Sequence, residues 1–202
     1  MTPESFAPPT FAEALAGALD GGDVASLLIS LSSEDEGDWR AALEAILPIA
    51  QARGVAVLLH DRTELAAATE ADGVHVEGGP DAVKAARTSL PRDRIVGAGR
   101  LRTRHDAMVA GELGVDYVLF GRLDAVIAPE KIEELVERVA WWAEIFEVPC
   151  VAAADDLRAV EALARAGADF VALRQAVWSH TEGPAAAVRQ ANASLKIERT
   201  AA

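Results

Sequence analysis

The feature that most constrains this sequence is an alternation: seven short apolar runs are separated by alanine-rich amphipathic stretches along nearly its whole length. Strand followed by covering helix, repeated, predicts a parallel sheet, because parallel neighbours must be joined by a crossover and a helix is its usual form. The runs lie near 25–31 (ASLLISL), 54–60 (GVAVLLH), 73–76 (GVHV), 94–98 (RIVGA), 116–121 (DYVLFG), 149–154 (PCVAAA) and 169–174 (DFVALR). They show little polar alternation, so both faces of each strand should be covered. Helical patterns fall at about 10–20, 38–52, 63–71, 81–90, 103–113, 129–146, 156–166 and 184–194. The first has Thr10 as a candidate N-cap after Pro8-Pro9, and the second carries Trp39, Leu43, Ile46 and Ile49 at helical spacing.

An acidic residue and a glycine precede three of the runs, in ADGVHV, GVDYVLF and AGADFVAL, at spacings of roughly 45–50 residues. Glycine closes a helix and feeds the next strand directly. The repetition favours a single TIM-barrel-like (β/α)8 domain over 1–202, rather than an open doubly wound sheet. A full barrel needs one more strand before the first helix, and MTPESFAP, with two prolines, is a poor strand. The first strand is therefore expected to be missing or atypical, with the seam open, covered by residues around Ser5 to Ala7, or covered by a partner subunit in a homodimer. Residues 1–9 and 195–202 read as tails.

The formal charge of −13 excludes non-specific attraction to polyphosphate or anionic lipid, so neither nucleic acid nor membrane is an expected partner. No apolar run is long enough to cross a bilayer, and the first residues lack a basic and then apolar leader, which predicts a cytoplasmic protein. The single cysteine, Cys150, lies in an apolar run and reads as a core thiol.

In such a barrel the ligand side is the ring of residues at the carboxyl ends of the strands. That ring comprises Ser30 and Ser32, His60-Asp61-Arg62, His75 and Glu77, Gly99-Arg100 with Arg102, Gly121-Arg122 with Asp124, Asp155-Asp156, and Arg174-Gln175. His60 and Asp61 are adjacent, so as strand residues they would point to opposite faces, which argues against a base and its orienting carboxylate. His75, inside a strand, reads as a hydrogen-bonded core histidine. Arg100, Arg102, Arg104, His105 and Arg122 are the one local excess of positive charge. They suit a phosphorylated or other anionic small molecule, or are neutralised by Glu77, Asp106 and Asp124. GAGRLR (97–102) has Arg102 where a dinucleotide fingerprint needs its third glycine, which excludes that reading. Trp141 and Trp142 cannot share a helix face, so one of them could meet a partner.

The order LLHDR…ADGVHV…IVGA…VDYVLFG…VPCVAAADDL…GADFVAL resembles the thiamine phosphate synthase family, which includes the thiazole tautomerases, over roughly residues 10–180. The resemblance implies a (β/α)8 barrel and a transferase of thiamine biosynthesis. Its reaction joins a pyrimidine diphosphate to a thiazole phosphate, with magnesium on the diphosphate. It also implies Asp61 as a magnesium ligand, with Asp81 as a second if one residue is inserted after His75.

Many of the family's functional positions are replaced. Leu31 and Ser32 stand in place of an arginine and a lysine, His60 in place of an asparagine, and Gly99 in place of a hydroxyl residue. The loop 121–129 lacks the family's threonines and lysine. Ala154-Asp155 and Arg174 occupy the two turns whose backbone N–H groups hold the thiazole phosphate in the family. These replacements predict lost or altered family activity, leaving a binding or regulatory role, a diverged enzyme acting on another anion, or an interaction protein. They leave His60, Asp61, Arg100, Arg122, Asp155 and Arg174 as candidate ligand contacts. Asp155 or Asp156 is expected to pair with Arg174 and fill the phosphate position.

Overall fold

The computed structural model describes residues 1–123 and 128–196. Seven parallel strands, β1 (Ser26–Ile29), β2 (Ala56–His60), β3 (Gly73–Val76), β4 (Ile95–Ala98), β5 (Tyr117–Gly121), β6 (Cys150–Ala153) and β7 (Phe170–Ala172), pair in strict chain order. Helix α1 (Pro8–Leu19) precedes β1, and the helices between the strands are α2 (Glu36–Gln51), α3 (Thr63–Ala67), α4 (Gly79–Ser89), α5 (Arg104–Glu112), α6 (Ile132–Ile145) and α7 (Val160–Arg165). A four-residue turn of helix, α8 (Gln175–Trp178), and the longer α9 (Pro184–Leu195) follow the last strand. This is the expected TIM-barrel-like architecture. Each strand is shorter than its apolar run because the ends of the runs turn into loops. The first helix starts earlier than Thr10, since prolines at its first two positions lack N–H groups that no intrahelical carbonyl could have accepted. The short α8 carries no apolar periodicity and was not expected.

Strand pleating divides the side chains between two environments. Ile29, Val57, Leu59, Val74, Val96, Val118, Phe120 and Ala152 face the helices and belong to one large apolar cluster. Leu28, Leu58, Leu119 and Ala153 face inward and form a smaller cluster with Ile95, Tyr117, Val151 and Ala172. The barrel interior retains a cavity of about 680 Å³, lined among others by Leu28, Leu58, Tyr117, Leu119 and Val151. Trp142 is buried and donates its indole N–H to Val148 O at 2.7 Å, whereas Trp141 is packed by Phe146 and covered by Arg104. Both tryptophans thus have partners within the chain. Cys150 is fully buried, and burial pushes its thiol up to about 11, as a core thiol requires.

The repeated aspartates have a use beyond ending helices. Asp72 donates its N–H to Val57 O (2.7 Å) and accepts the Val57 N–H on its carboxylate (2.7 Å). Asp116 does the same with Val96 (2.8 and 2.7 Å), and Asp169 with Cys150 (3.0 and 2.8 Å). Each therefore clamps the start of its own strand to the strand before it, joining β2 to β3, β4 to β5 and β6 to β7.

The seam between β7 and β1 is bridged by the chain's first residues, slightly upstream of the expected Ser5 to Ala7. Thr2 donates its N–H to Leu28 O and accepts the Ser30 N–H on Oγ1, and Ser32 donates to Glu4 O. On the other side the Met1 amine donates to Leu173 O, and the Arg174 guanidinium pairs with Glu4 at 2.6 Å. Residues 1–4, read as part of a tail from the sequence, are hydrogen-bonded into the barrel because β1 has unpaired backbone groups on that edge. Of 195–202, Leu195 lies in α9 and 197–202 fall outside the described residues. No helix among the described residues is long and apolar enough to cross a membrane.

Replacing Asp169 by alanine leaves the buried Cys150 N–H unsatisfied and is expected to cost about 1–3 kcal/mol in urea unfolding. Replacing the fully exposed Asp81 should stay within about 0.5 kcal/mol.

Candidate functional site at the carboxyl ends of the strands

The ladder register determines what meets inside the mouth. His60 lies opposite His75, His75 opposite Gly97, and Gly97 opposite Tyr117, so all four share one inward-facing layer. His75 is wholly buried, with Nδ1 2.9 Å from the Tyr117 hydroxyl and the two rings stacked. Two glycines make room for this pair. A Cβ at position 97 would collide with the Tyr117 ring, and one at 99 would sit 2.5 Å from His75 Nε2. Gly99, where the resemblance puts a hydroxyl residue, thus lies directly against the buried histidine. His75 is the core residue the sequence suggested, and burial lowers its imidazole from 6.5 to about 3, with the neighbouring His60 adding to the effect. Burial also raises the Tyr117 phenol far above its usual range, so both rings stay neutral.

Next to this pair, His60 Nδ1 is 3.0 Å from Ser30 Oγ, and His60 Nε2 lies 3.6 Å from Asp61 Oδ2 and 3.5 Å from Glu77 Oε2. The expectation that His60 and Asp61 diverge holds only for two strand residues. β2 ends at His60, and Asp61 adopts φ +51°, a left-handed conformation that turns its carboxylate back over the mouth. The turn is held by the Asp61 N–H donating to His75 O and by the Glu77 N–H donating to Asp61 Oδ1, both at 2.9 Å. The Glu77 carboxyl is held below the usual carboxylate range, first by the His60 imidazole beside it and against its own partial burial. The charge of Arg100 contributes further. His60, Asp61 and Glu77 offer ligand atoms all within 4.8 Å of one another. Asp81 stands apart on the first turn of α4, fully exposed beside Lys84, so the second magnesium ligand suggested by the resemblance is not in this cluster.

The arginine-rich side is open. Arg100, in a left-handed conformation at φ +57°, and Arg102 are exposed and form no ion pair with a described residue, while Arg104 lies over the Trp141 ring at 4.6 Å. Arg122 is also exposed and has a partner of its own. Asp106 is turned away into a capping box with Thr103 at the start of α5, and Asp124 lies outside the described residues. Of the three proposed neutralising carboxylates, Glu77 is the one whose acidity registers the charge of Arg100.

At the far side, Asp155 meets residue 174 differently from expectation. Its carboxylate accepts the backbone N–H groups of Arg174 (2.6 Å), Gln175 (3.0 Å) and Ala176 (3.0 Å). The Arg174 side chain instead reaches Glu4, and Asp156 pairs with Arg158. The Arg174 guanidinium does not bridge the two turns because, 6% exposed, it is committed to the seam. Asp155 holds φ +46°, which aims its carboxylate into the turn.

Parallel strands with polar side chains gathered at their carboxyl ends define a (β/α) barrel with the ligand mouth of that fold. Residues 1–177 match the family described as thiamine monophosphate synthase, and the chain belongs to that family. It is 42% identical over 198 residues to the thiamine-phosphate synthase of Rhodospirillum centenum, covering 97% of this chain and 96% of that protein. It is 41% identical over 189 residues to that of Hyphomonas neptunium, covering 91% and 86%. Among solved structures it is similar to thiamine phosphate pyrophosphorylase from Pyrococcus furiosus, with a TM-score of 0.75 at 21% identity, covering 91% and 88%. It is also similar in fold to 3-hexulose-6-phosphate synthase from Salmonella typhimurium, with a TM-score of 0.71 at 15% identity.

The buried His75 makes stability depend on acid. Its folded-state pKa is depressed, so the unfolded chain takes up a proton that the folded one refuses. The contribution is fully present above pH 6.5 and is lost as the pH falls toward 3, by at most about 1.4 kcal/mol per pH unit. Urea unfolding between pH 7 and about 5, above the range where carboxylates dominate, should show this slope, and His75→Gln should flatten it.

Proposed function

We propose that the chain is a thiamine-phosphate synthase that works at the barrel mouth, joining a pyrimidine diphosphate to a thiazole phosphate. The observation that carries this reading is its 42% identity to the Rhodospirillum centenum synthase over nearly the full length of both proteins. The comparisons give no sign of the loss of activity that the replaced residues suggested. The exposed guanidinium groups of Arg100 and Arg102, with Arg122, suit the phosphate groups of such substrates, and Arg can hold two phosphate oxygens at once. Their positive charge would offset the charge that builds on a departing diphosphate. Neutral His75 and Tyr117 form the floor beneath the reacting groups and exclude water there.

The magnesium implied by the family fits only in part. Asp61 and Glu77 supply the oxygen donors it prefers, but the third donor is an imidazole nitrogen, which magnesium binds poorly. A divalent ion at such a mouth would neutralise a bound diphosphate, and the assignment of the arginines does not depend on it.

One observation favours a second reading, a family member that binds a ligand without performing the reaction. The Asp155 carboxylate already uses three backbone N–H groups at the turn where the resemblance puts the thiazole phosphate. A phosphate brought to the same place would meet a like charge.

Incubating the protein with both precursors and a divalent cation should yield thiamine phosphate. Arg100→Ala and Arg122→Ala should each lower kcat/KM by about 10–100-fold, the loss of a charge-assisted contact. No product with any divalent ion, together with a rise in melting temperature when the thiazole phosphate alone is added, would sink the synthase reading and favour the second.

A further inference from the structure

We propose that His60, Asp61 and Glu77 form a three-ligand site for a divalent first-row transition-metal ion, manganese or a heavier one, in preference to magnesium. The assignment rests on the donor atoms and stands whether or not the chain is a synthase. His60 Nε2 is a buried atom without a hydrogen-bond partner, and it faces carboxylate oxygens of Asp61 at 3.6 Å and Glu77 at 3.5 Å. Those separations are too long for direct hydrogen bonds. They are close to what a shared ion imposes, since bonds of about 2.1 Å put neighbouring donors about 3.0–3.4 Å apart.

The surroundings orient each donor. Ser30 Oγ, just past the end of β1, holds His60 Nδ1 at 3.0 Å. With Nδ1–H donating to that hydroxyl, the Nε2 lone pair is left for the ion, the usual arrangement behind a ligating histidine. Asp61 Oδ1 is engaged by the Glu77 N–H, which leaves Oδ2 as the free ligand atom. Glu77 is the more enclosed carboxylate of the two, and its ion-pair partner among the described residues is His60. Asp61 is half exposed, so the side of the site away from the strands is open to water or a substrate oxygen. Two carboxylates and one imidazole favour borderline ions over magnesium, which demands oxygen donors.

The test uses the full chain stripped with chelator and titrated with manganese, with free Mn²⁺ followed by electron paramagnetic resonance. One Mn²⁺ should bind per chain, and Mg²⁺ should displace it only at tenfold or greater excess. Asp61→Asn, at a half-exposed position that should tolerate the change, should weaken Mn²⁺ binding at least tenfold. His60→Asn, checked by circular dichroism, should weaken it similarly and reduce the preference over Mg²⁺, because an amide oxygen replaces nitrogen. Should that variant not fold, nitrogen ligation is read in the unaltered protein from the visible absorption of bound Co²⁺. The proposal is overturned if no Mn²⁺ binds, if Mg²⁺ competes on equal terms, if bound Co²⁺ shows no nitrogen ligand, or if binding survives undiminished in Asp61→Asn.

Discussion

The register of the parallel ladder is the constraint on which the mouth depends, and three aspartates fix it. Asp72, Asp116 and Asp169 each exchange two hydrogen bonds with one residue of the preceding strand. A slip of one residue would turn His60 and His75 outward among the helices and bring Leu59 and Val74 into the site. The polar layer is therefore specified at the opposite end of the strands from where it acts. This also separates the two demands on each strand: its start is held by backbone and carboxylate, and its end is left free for ligand-facing side chains.

Above that layer, the left-handed residues do most of the shaping. Asp61, Arg100 and Asp155 are the described non-glycine residues with positive φ, and each stands one or two positions beyond the end of a strand. Such conformations cost of order 1 kcal/mol or more unless neighbours hold them. Asp61 and Asp155 are held by hydrogen bonds that their own carboxylates accept. The turn at Asp61 brings its carboxylate back beside His60, and the turn at Asp155 sets its carboxylate on the three backbone N–H groups that follow β7.

Much of this was legible in the residues. Short apolar runs alternating with amphipathic stretches located all seven strands, and the repeated acidic residue and glycine before three of them pointed to a barrel, because both follow from local pattern. The mouth was legible as a list of positions and not as an arrangement. Asp61 folding back toward His60 depends on one backbone angle that no propensity encodes. Arg174 reaching Glu4 joins residues 170 apart in the chain, and the role of residues 1–4 in the seam follows from an unpaired strand edge that exists only once the barrel has formed. Glu77 drew notice as a member of the polar ring and as a possible partner for arginines. Its place beside His60 emerged when the register set the two strands side by side.

The Asp155 carboxylate has a consequence for how any anion reaches its turn. It is tethered to the chain that supplies the three N–H groups, so it competes with free anions at a local concentration that a dissolved species can match only by binding more strongly. A small anion that brings nothing else to bind with would have to displace the carboxylate from all three N–H groups unaided. A ligand that engages the rest of the mouth as well can draw on those contacts to displace the carboxylate. The internal anion thus sets a threshold that a ligand at this turn would have to exceed through its other contacts.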